Sequence, residues 1–456
     1  MVNFIGPLIA LFLITLLFSI NIKYYSISII LIFTFSFFQG VLQLIGIPTI
    51  VPRFLLESSI LFLFLKTIFL SQRYNLVITF KWGYWILSIF FITIASSIIN
   101  KQDPISVMLF MRHTFIFYLL FVTVYNTDIS IKNIKMIRSY LIGLFIIQIP
   151  ASIIKLISYG RIVEGGGIGT ISVQDGSAAL LLSLFPISFL FSKYLYNKRT
   201  NYLLYCILFL IISIASGKRA TAFLLPLLML FIFTNYLYVN DQKRLKKIFQ
   251  LSYKIIIISF FMLYITSQTS SFLSPSGRAF SGEFDLKFLY NRMILYSVAS
   301  EAVNPGAGRA NAISSTYKYV SNSGIEYLLF GFGPGSIIGS FVVQEKRSIG
   351  TMHNLPYANR SGFVWLFLQI GLIGAMFYLF FIINWFLSTI KVYKISRFKN
   401  SAPGLLGIIG ALFILMFDVS LYSTSFITNG VTMPVLIYLS AIYLSPFRLK
   451  REFSND

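Results

Sequence analysis

Residues 308–336 read GRANAISSTYKYVSNSGIEYLLFGFGPGS. They lie within the one long polar interruption, Leu273–Arg360, of a chain that otherwise alternates apolar runs with short connectors rich in Lys or Arg. Hydrophobic residues make up 57% of the 456, aromatic residues 17% and charged residues only 11%, where a soluble domain carries about 25% charged residues. A transmembrane helix needs about 20 mostly apolar residues. Candidates stand at 4–20, 26–45, 54–71, 83–98, 107–125, 139–157, 178–192, 202–216, 220–239, 252–272, 361–385, 404–424 and 431–446. The expected fold is an all-α polytopic integral membrane protein with about 12–13 transmembrane helices and one large extracytoplasmic loop late in the chain. A β-barrel is excluded, because its strands would alternate in polarity. Three parts follow: an N-terminal helix bundle over 1–272, the loop over 273–360, and C-terminal helices with a cytoplasmic tail over 361–456.

The net charge of +23 does not point to nucleic acid, because the cations sit in the connectors. Numbered alternately, one set of connectors holds 21 Lys and Arg, among them Lys132, Lys135, Arg138, Lys193, Lys198, Arg199 and the clusters 243–254 and 391–399. The short connectors of the other set hold five: Arg53, Lys101, Arg161, Lys218 and Arg219. The positive-inside rule makes the first set cytoplasmic, which places the C-terminus inside and the long loop outside. Thirteen spans then put the N-terminus outside; an interfacial early segment gives twelve and puts it inside. Basic residues on the inner face also meet anionic headgroups.

The first apolar run lacks a basic start and a small-residue cleavage site, so it counts as a helix and not a signal peptide. Cys206 is the single cysteine, so no disulfide within the chain and no cysteine-built metal or redox site can form. No internal repeat of the inverted transporter kind is visible. A second outward connector, Tyr159–Ser177, reads YGRIVEGGGIGTISVQDGS, and its glycines predict an irregular, pliable segment. Within the long loop, Asp285–Val303 has the spacing of an amphipathic helix lying near the membrane. Asn304-Pro305-Gly306 ends it, a short helix is expected over about 309–319, and GFGPGS at Gly331–Ser336 is a turn.

Charged groups at membrane depth are costly and mark function by default. Arg112-His113 sits inside MLFMRHTFIFYLL and Asp418 inside ALFILMFDVSLYS. Arg112 is either half of a buried structural pair or a cation facing substrate, with Asp418 the obvious partner; His113 reads as a hydrogen-bonded packing residue. Lys66 and Lys155 lie near span ends, where long stems reach the interface. Arg219, in SGKRAT, is either a solvated loop arginine or, at a helix end, a guanidinium beside free backbone N–H groups, a combination suited to phosphate. The loop adds Arg278, Arg292 and Arg309, then His353-Asn354 before the next span. A histidine there suits deprotonation of a hydroxyl at neutral pH, and arginine forks suit a phosphate or pyrophosphate leaving group. Two histidines and few outward carboxylates give no acidic metal cluster, and no Walker-type nucleotide loop is present. Neither a metal nor another cofactor is expected. Together these parts describe a transferase acting on a lipid-linked phosphate donor at the outer leaflet.

The string from Gly308 to Ser336, followed by MHNLPYANRSGFVWLFLQIGLIGA at Met352–Ala375, resembles the O-antigen polymerase and O-antigen ligase superfamily. The likeness covers nearly the whole chain in architecture; in motifs it covers about Gly308–Gly374 together with SGKRAT. The resemblance implies that Arg219 contacts the lipid pyrophosphate from the outer end of a central helix. It implies that Arg309 supports the same group, and that His353 of the His-Asn pair activates the acceptor hydroxyl. Asn354, Arg278, Arg292 and Arg112 are then candidates for substrate binding. One departure stands out: Gln369 precedes Gly371 and Gly374, where many relatives carry a glutamate.

The expected function is that of a metal-independent glycosyltransferase of the bacterial inner membrane. It would join undecaprenyl-pyrophosphate-linked oligosaccharide repeats into O-antigen, capsule or exopolysaccharide at the outer face. A flippase and a chain-length regulator are its expected partners beside membrane lipids, and nucleic acid is not. Two alternatives stand beside it: a ligase that moves the glycan to lipid A core or protein, and a flippase or transporter of the lipid-linked oligosaccharide.

Overall fold

The computed structural model describes residues 25–47, 50–70, 82–127, 129–159, 169–171, 176–215, 219–240, 283–288, 309–337, 361–396, 400–422 and 430–445, and isolated positions between 253 and 291. Helices dominate, and there is no strand among the described residues. In chain order they are α1 (Tyr25–Phe37), α2 (Gln39–Leu44), α3 (Ile50–Leu70), α4 (Gly83–Ile99), α5 (Pro104–Asn126), α6 (Ile131–Tyr159) and α7 (Gly176–Asn197). There follow α8 (Asn201–Ala215), α9 (Arg219–Asn240), α10 (Arg309–Ser323), α11 (Ile325–Phe330), α12 (Gly362–Ile395), α13 (Ala402–Phe417), a π-helical turn at Asp418–Tyr422, and α14 (Thr432–Leu444).

Among the described residues, four segments are long and apolar enough to cross a bilayer: Pro104–Asn126, Ile131–Lys155, Gly362–Ile395 and Ala402–Ser420. The helices also leave large apolar side chains bare, with Phe91 66%, Met108 69% and Ile157 75% exposed. Water-soluble surfaces rarely show such extended apolar area, whereas lipid tails match it. The protein is an all-α molecule built for a membrane.

Two expected spans are broken. The run 26–45 divides into α1 and α2 at Phe38, which leaves helical geometry at ψ 14°. The run expected over 361–385 extends to Ile395 and is interrupted at Gly371, where φ is 69° and ψ is −174°. Apolar composition continues through both breaks, so hydropathy alone does not reveal them.

Residues Gly169–Ile171 of the second connector are pinned, contrary to the pliable segment expected there. The Thr170 hydroxyl donates to the Phe37 carbonyl at 2.7 Å, and the Thr170 amide donates to Gln148 Oε1 at 2.8 Å. The amides of Gly40 and Val41 donate in turn to the Thr170 carbonyl at 2.9 and 3.3 Å. The break between α1 and α2 frees backbone groups that lipid could not satisfy; this turn supplies their partners.

The core is aromatic. Trp82 stacks on Trp385 at 5.5 Å and meets Phe121 edge-on at 4.5 Å, tying the starts of α4 and the far parts of α5 and α12 together. Beyond them, Tyr196 and Tyr393 share a 2.7 Å hydrogen bond, and Asn240 Nδ2 donates to both hydroxyls at 3.2 and 3.3 Å. That polar knot gathers the C-termini of α7, α9 and α12, and defines one end of the bundle.

Candidate functional site

The opposite end is organised by a glycine-rich turn. Helix α11 stops at Phe330 because Gly331 takes φ 73°, in the left-handed region that side chains resist. A Cβ at Gly331 would also stand 2.6 Å from backbone atoms of Gln369 and Gly371. The turn therefore lies directly on the break in α12. The Phe332 amide donates to the Leu368 carbonyl at 2.7 Å. Ser96 Oγ donates to the carbonyls of Phe330 at 2.5 Å and Gln369 at 3.2 Å. Asn100 Nδ2 donates to the Gly331 carbonyl at 3.0 Å, and Gln102 Nε2 to that of Phe332 at 2.8 Å. Carbonyls released by the break and the turn are thus satisfied by Ser96 at the end of α4, by Asn100 and Gln102 of the α4–α5 connector, and by the Phe332 amide, as burial requires.

Gln369 is fully buried here. Its Oε1 accepts from the Gly335 amide at 2.9 Å, and its Nε2 donates to the Trp365 carbonyl at 3.3 Å. A glutamate could keep the first bond but would set an oxygen against the second carbonyl unless protonated. The amide of Gln369 is accordingly a structural fit in this chain.

Helix α10 packs at the same end. Tyr319 and Tyr327 lie 5.8 and 5.0 Å from the Phe332 ring. Ile313, Ser314 and Tyr317 of α10 face Phe363, Val364, Phe367 and Leu372 of α12 across a cavity of about 270 Å³. Arg309 begins α10, four residues before Ile313. Arg219 begins α9, 21 residues before Asn240 in the tyrosine knot. At 1.5 Å per residue it stands about 32 Å from that knot, towards the glycine end. The backbones of Arg219 and Arg309 therefore open helices at one end of the molecule, where four amides at each helix start have no intrahelical acceptor. Their side chains lie outside the described residues, as do His353, Asn354, Arg278 and Arg292.

Arg112 does not have the partner expected for it. Its Nε lies 2.7 Å from Glu57 Oε2 of α3, and Asp418 is buried elsewhere, in the π-turn after α13. Glu57 also accepts from Arg53 Nε at 3.0 Å through Oε1. The second guanidinium arm of Arg53 meets His113 Nδ1. Arginine can only donate, so Nδ1 of His113 accepts and the neutral ring carries its proton on Nε2. Glu57 is nearly covered, with 7% of its side chain exposed, while Arg53 and Arg112 keep 29% and 33%. Glu57 was legible in principle: it follows Arg53 by four residues in RFLLE, the spacing of neighbours on a helix face, and an acid inside an apolar run needs a partner.

Glu57→Gln should destabilise the protein, because it leaves two guanidinium groups against one another. Breaking a buried ion pair costs about 3–5 kcal/mol. Arginine side chains that keep about a third of their surface exposed reduce this to about 1–3 kcal/mol. The readout is the thermal midpoint in detergent; a midpoint equal to wild type would show that the carboxylate holds nothing in place.

No family model matches this chain, and no curated protein matches it either.

Proposed function

We propose that the protein is a polysaccharide polymerase that joins undecaprenyl-pyrophosphate-linked oligosaccharide repeats at the outer face of a bacterial inner membrane. The observation that supports it best is that two helices, α9 and α10, each open on an arginine, Arg219 and Arg309. Helix starts favour anions through free amides and the helix dipole, and arginine adds a bidentate, permanently charged fork. Two such starts suit the two phosphates of a pyrophosphate leaving group. The apolar cavity between α10 and α12 suits the first prenyl units of the lipid.

The alternation of spans agrees with this placement. The α4–α5 connector and the GFGPGS turn are bonded together, and six apolar runs separate them in sequence. An even number of crossings returns the chain to the same side, so the long loop and the connector carrying Lys101 both face outward. His353 closes that loop just before α12 and is the base for the acceptor hydroxyl. Attack of the deprotonated hydroxyl on the anomeric carbon forms the new glycosidic bond, breaks the bond to pyrophosphate, and leaves the pyrophosphate lipid with the electron pair.

The test is deletion of the gene in its native host, with gels of surface glycan and of the lipid-linked pool. Loss of the ladder with single repeats still transferred is the expected result. Loss of all transfer with long lipid-linked chains accumulating would assign a ligase instead. An unchanged surface profile would overturn both.

A further inference from the structure

We infer that Arg53, Glu57, Arg112 and His113 form a phosphate site for the head of a membrane lipid, at the junction of α3 and α5. This does not rest on the proposed polymerase activity. Two guanidinium groups against one carboxylate leave one positive charge unbalanced, since His113 is held as a neutral acceptor by Arg53. Glu57 accepts a hydrogen bond from Arg53 Nε and lies within ion-pair distance of Arg112 Nε. The terminal nitrogens of Arg112 have no acceptor among the described residues.

The surroundings identify the class of anion. Ile105, Met108 and Arg112 recur at three- and four-residue spacing on α5, and Ile105 and Met108 are 46% and 69% exposed. An apolar strip of that kind faces lipid tails, so the open side of Arg112 meets lipid and not bulk water. Arg112 lies eight residues into α5, about 12 Å along the helix from Pro104. The headgroup layer is only about 5–7 Å thick on each face, so the guanidinium reaches to the boundary of the hydrocarbon. An unbalanced cation at that depth is costly unless an anion with an apolar tail lies beside it. A lipid phosphate answers both demands, and arginine grips it through paired N–H donors. The free Nε2–H of His113 adds a neutral donor of the kind a phosphate oxygen accepts. The phosphate can come from a bulk anionic phospholipid or from a polyprenyl-linked donor, and the chemistry of the site is the same for both.

The test uses the full protein in detergent, with phosphatidylglycerol, phosphatidylcholine of the same chains, or undecaprenyl pyrophosphate added, and reads the thermal midpoint. Wild type should rise by a few degrees with phosphatidylglycerol over phosphatidylcholine, as a ligand specific to the folded state stabilises it. Arg112→Gln should lose that rise, since it leaves the neutral Arg53–Glu57 pair. Arg53→Gln should lose it too, since it leaves Arg112–Glu57, so either variant suffices if the other fails to fold. A rise with undecaprenyl pyrophosphate alone, lost in the same variants, would keep the phosphate site and assign it to the donor lipid. Equal midpoints with all three lipids, or a folded variant that keeps the full rise, would overturn the inference.

Discussion

Alanine at His353 should reduce glycan polymerisation by about 10²–10⁴-fold, the usual contribution of a positioned general base, while protein abundance in the membrane stays at the wild-type level. Arg309→Ala should lose about 10²–10³-fold, comparable to removing one charged or hydrogen-bonding stabiliser of a transition state. Arg219→Lys should fail as well, because an ammonium keeps the charge but not the planar fork; full activity there would show that a point charge is enough. The assay is the length distribution of glycan made by each variant in the deletion host, beside an immunoblot of membranes. Near-normal polymer from both His353→Ala and Arg309→Ala would remove the proposed site.

Gly371→Ala should unfold the glycine end. The new Cβ would run into the Leu329 carbonyl oxygen and the Phe330 amide nitrogen, both backbone atoms. Those atoms cannot retreat: the Phe330 carbonyl is held by Ser96, and Phe332 by Leu368. A backbone at φ 69° and ψ −174° is open essentially to glycine alone and costs a residue with a side chain about 1–3 kcal/mol by itself, and displacing two tied backbone segments brings the total to about 3–5 kcal/mol. Little folded protein should then reach the membrane, and what does should melt well below wild type. Gly143→Ala is the control, because nothing stands within 4 Å of its Cβ position. It lies inside α6, so a methyl should be neutral or favour the helix by up to about 1 kcal/mol. Equal midpoints for the two variants would mean that the turn does not clamp the break in α12.

Legibility in the sequence divides along physical lines. The expected spans 83–98, 107–125, 178–192, 202–216 and 220–239 fall on Gly83–Ile99, Pro104–Asn126, Gly176–Asn197, Asn201–Ala215 and Arg219–Asn240. Helices expected to cross lipid must satisfy their own backbone, so a local apolar window is nearly sufficient to find them. The short helix expected from Arg309 runs on to Ser323, and GFGPGS is a turn; glycine and proline announce such features in one dimension.

Partners were a different matter. Arg112 stood out because a charge at membrane depth needs an explanation, yet Asp418 and Glu57 were both acids within apolar runs. Only the packing of α3 on α5 decided for Glu57. Gln369 likewise finds its role only in the packing, where the Gly335 amide and the Trp365 carbonyl give its side-chain amide one acceptor's role and one donor's. The breaks at Phe38 and Gly371 were invisible for the same reason. Hydropathy counts what a segment is made of, and a break is stabilised by groups that arrive from elsewhere: Thr170 for the first, Ser96 and Phe332 for the second. The sequence by itself determined that this chain is helical and apolar, where most helices start and stop, and which residues carry charge. The tertiary structure alone decided which charges neutralise one another and which helix starts share an end, because those depend on contacts between residues far apart in the chain.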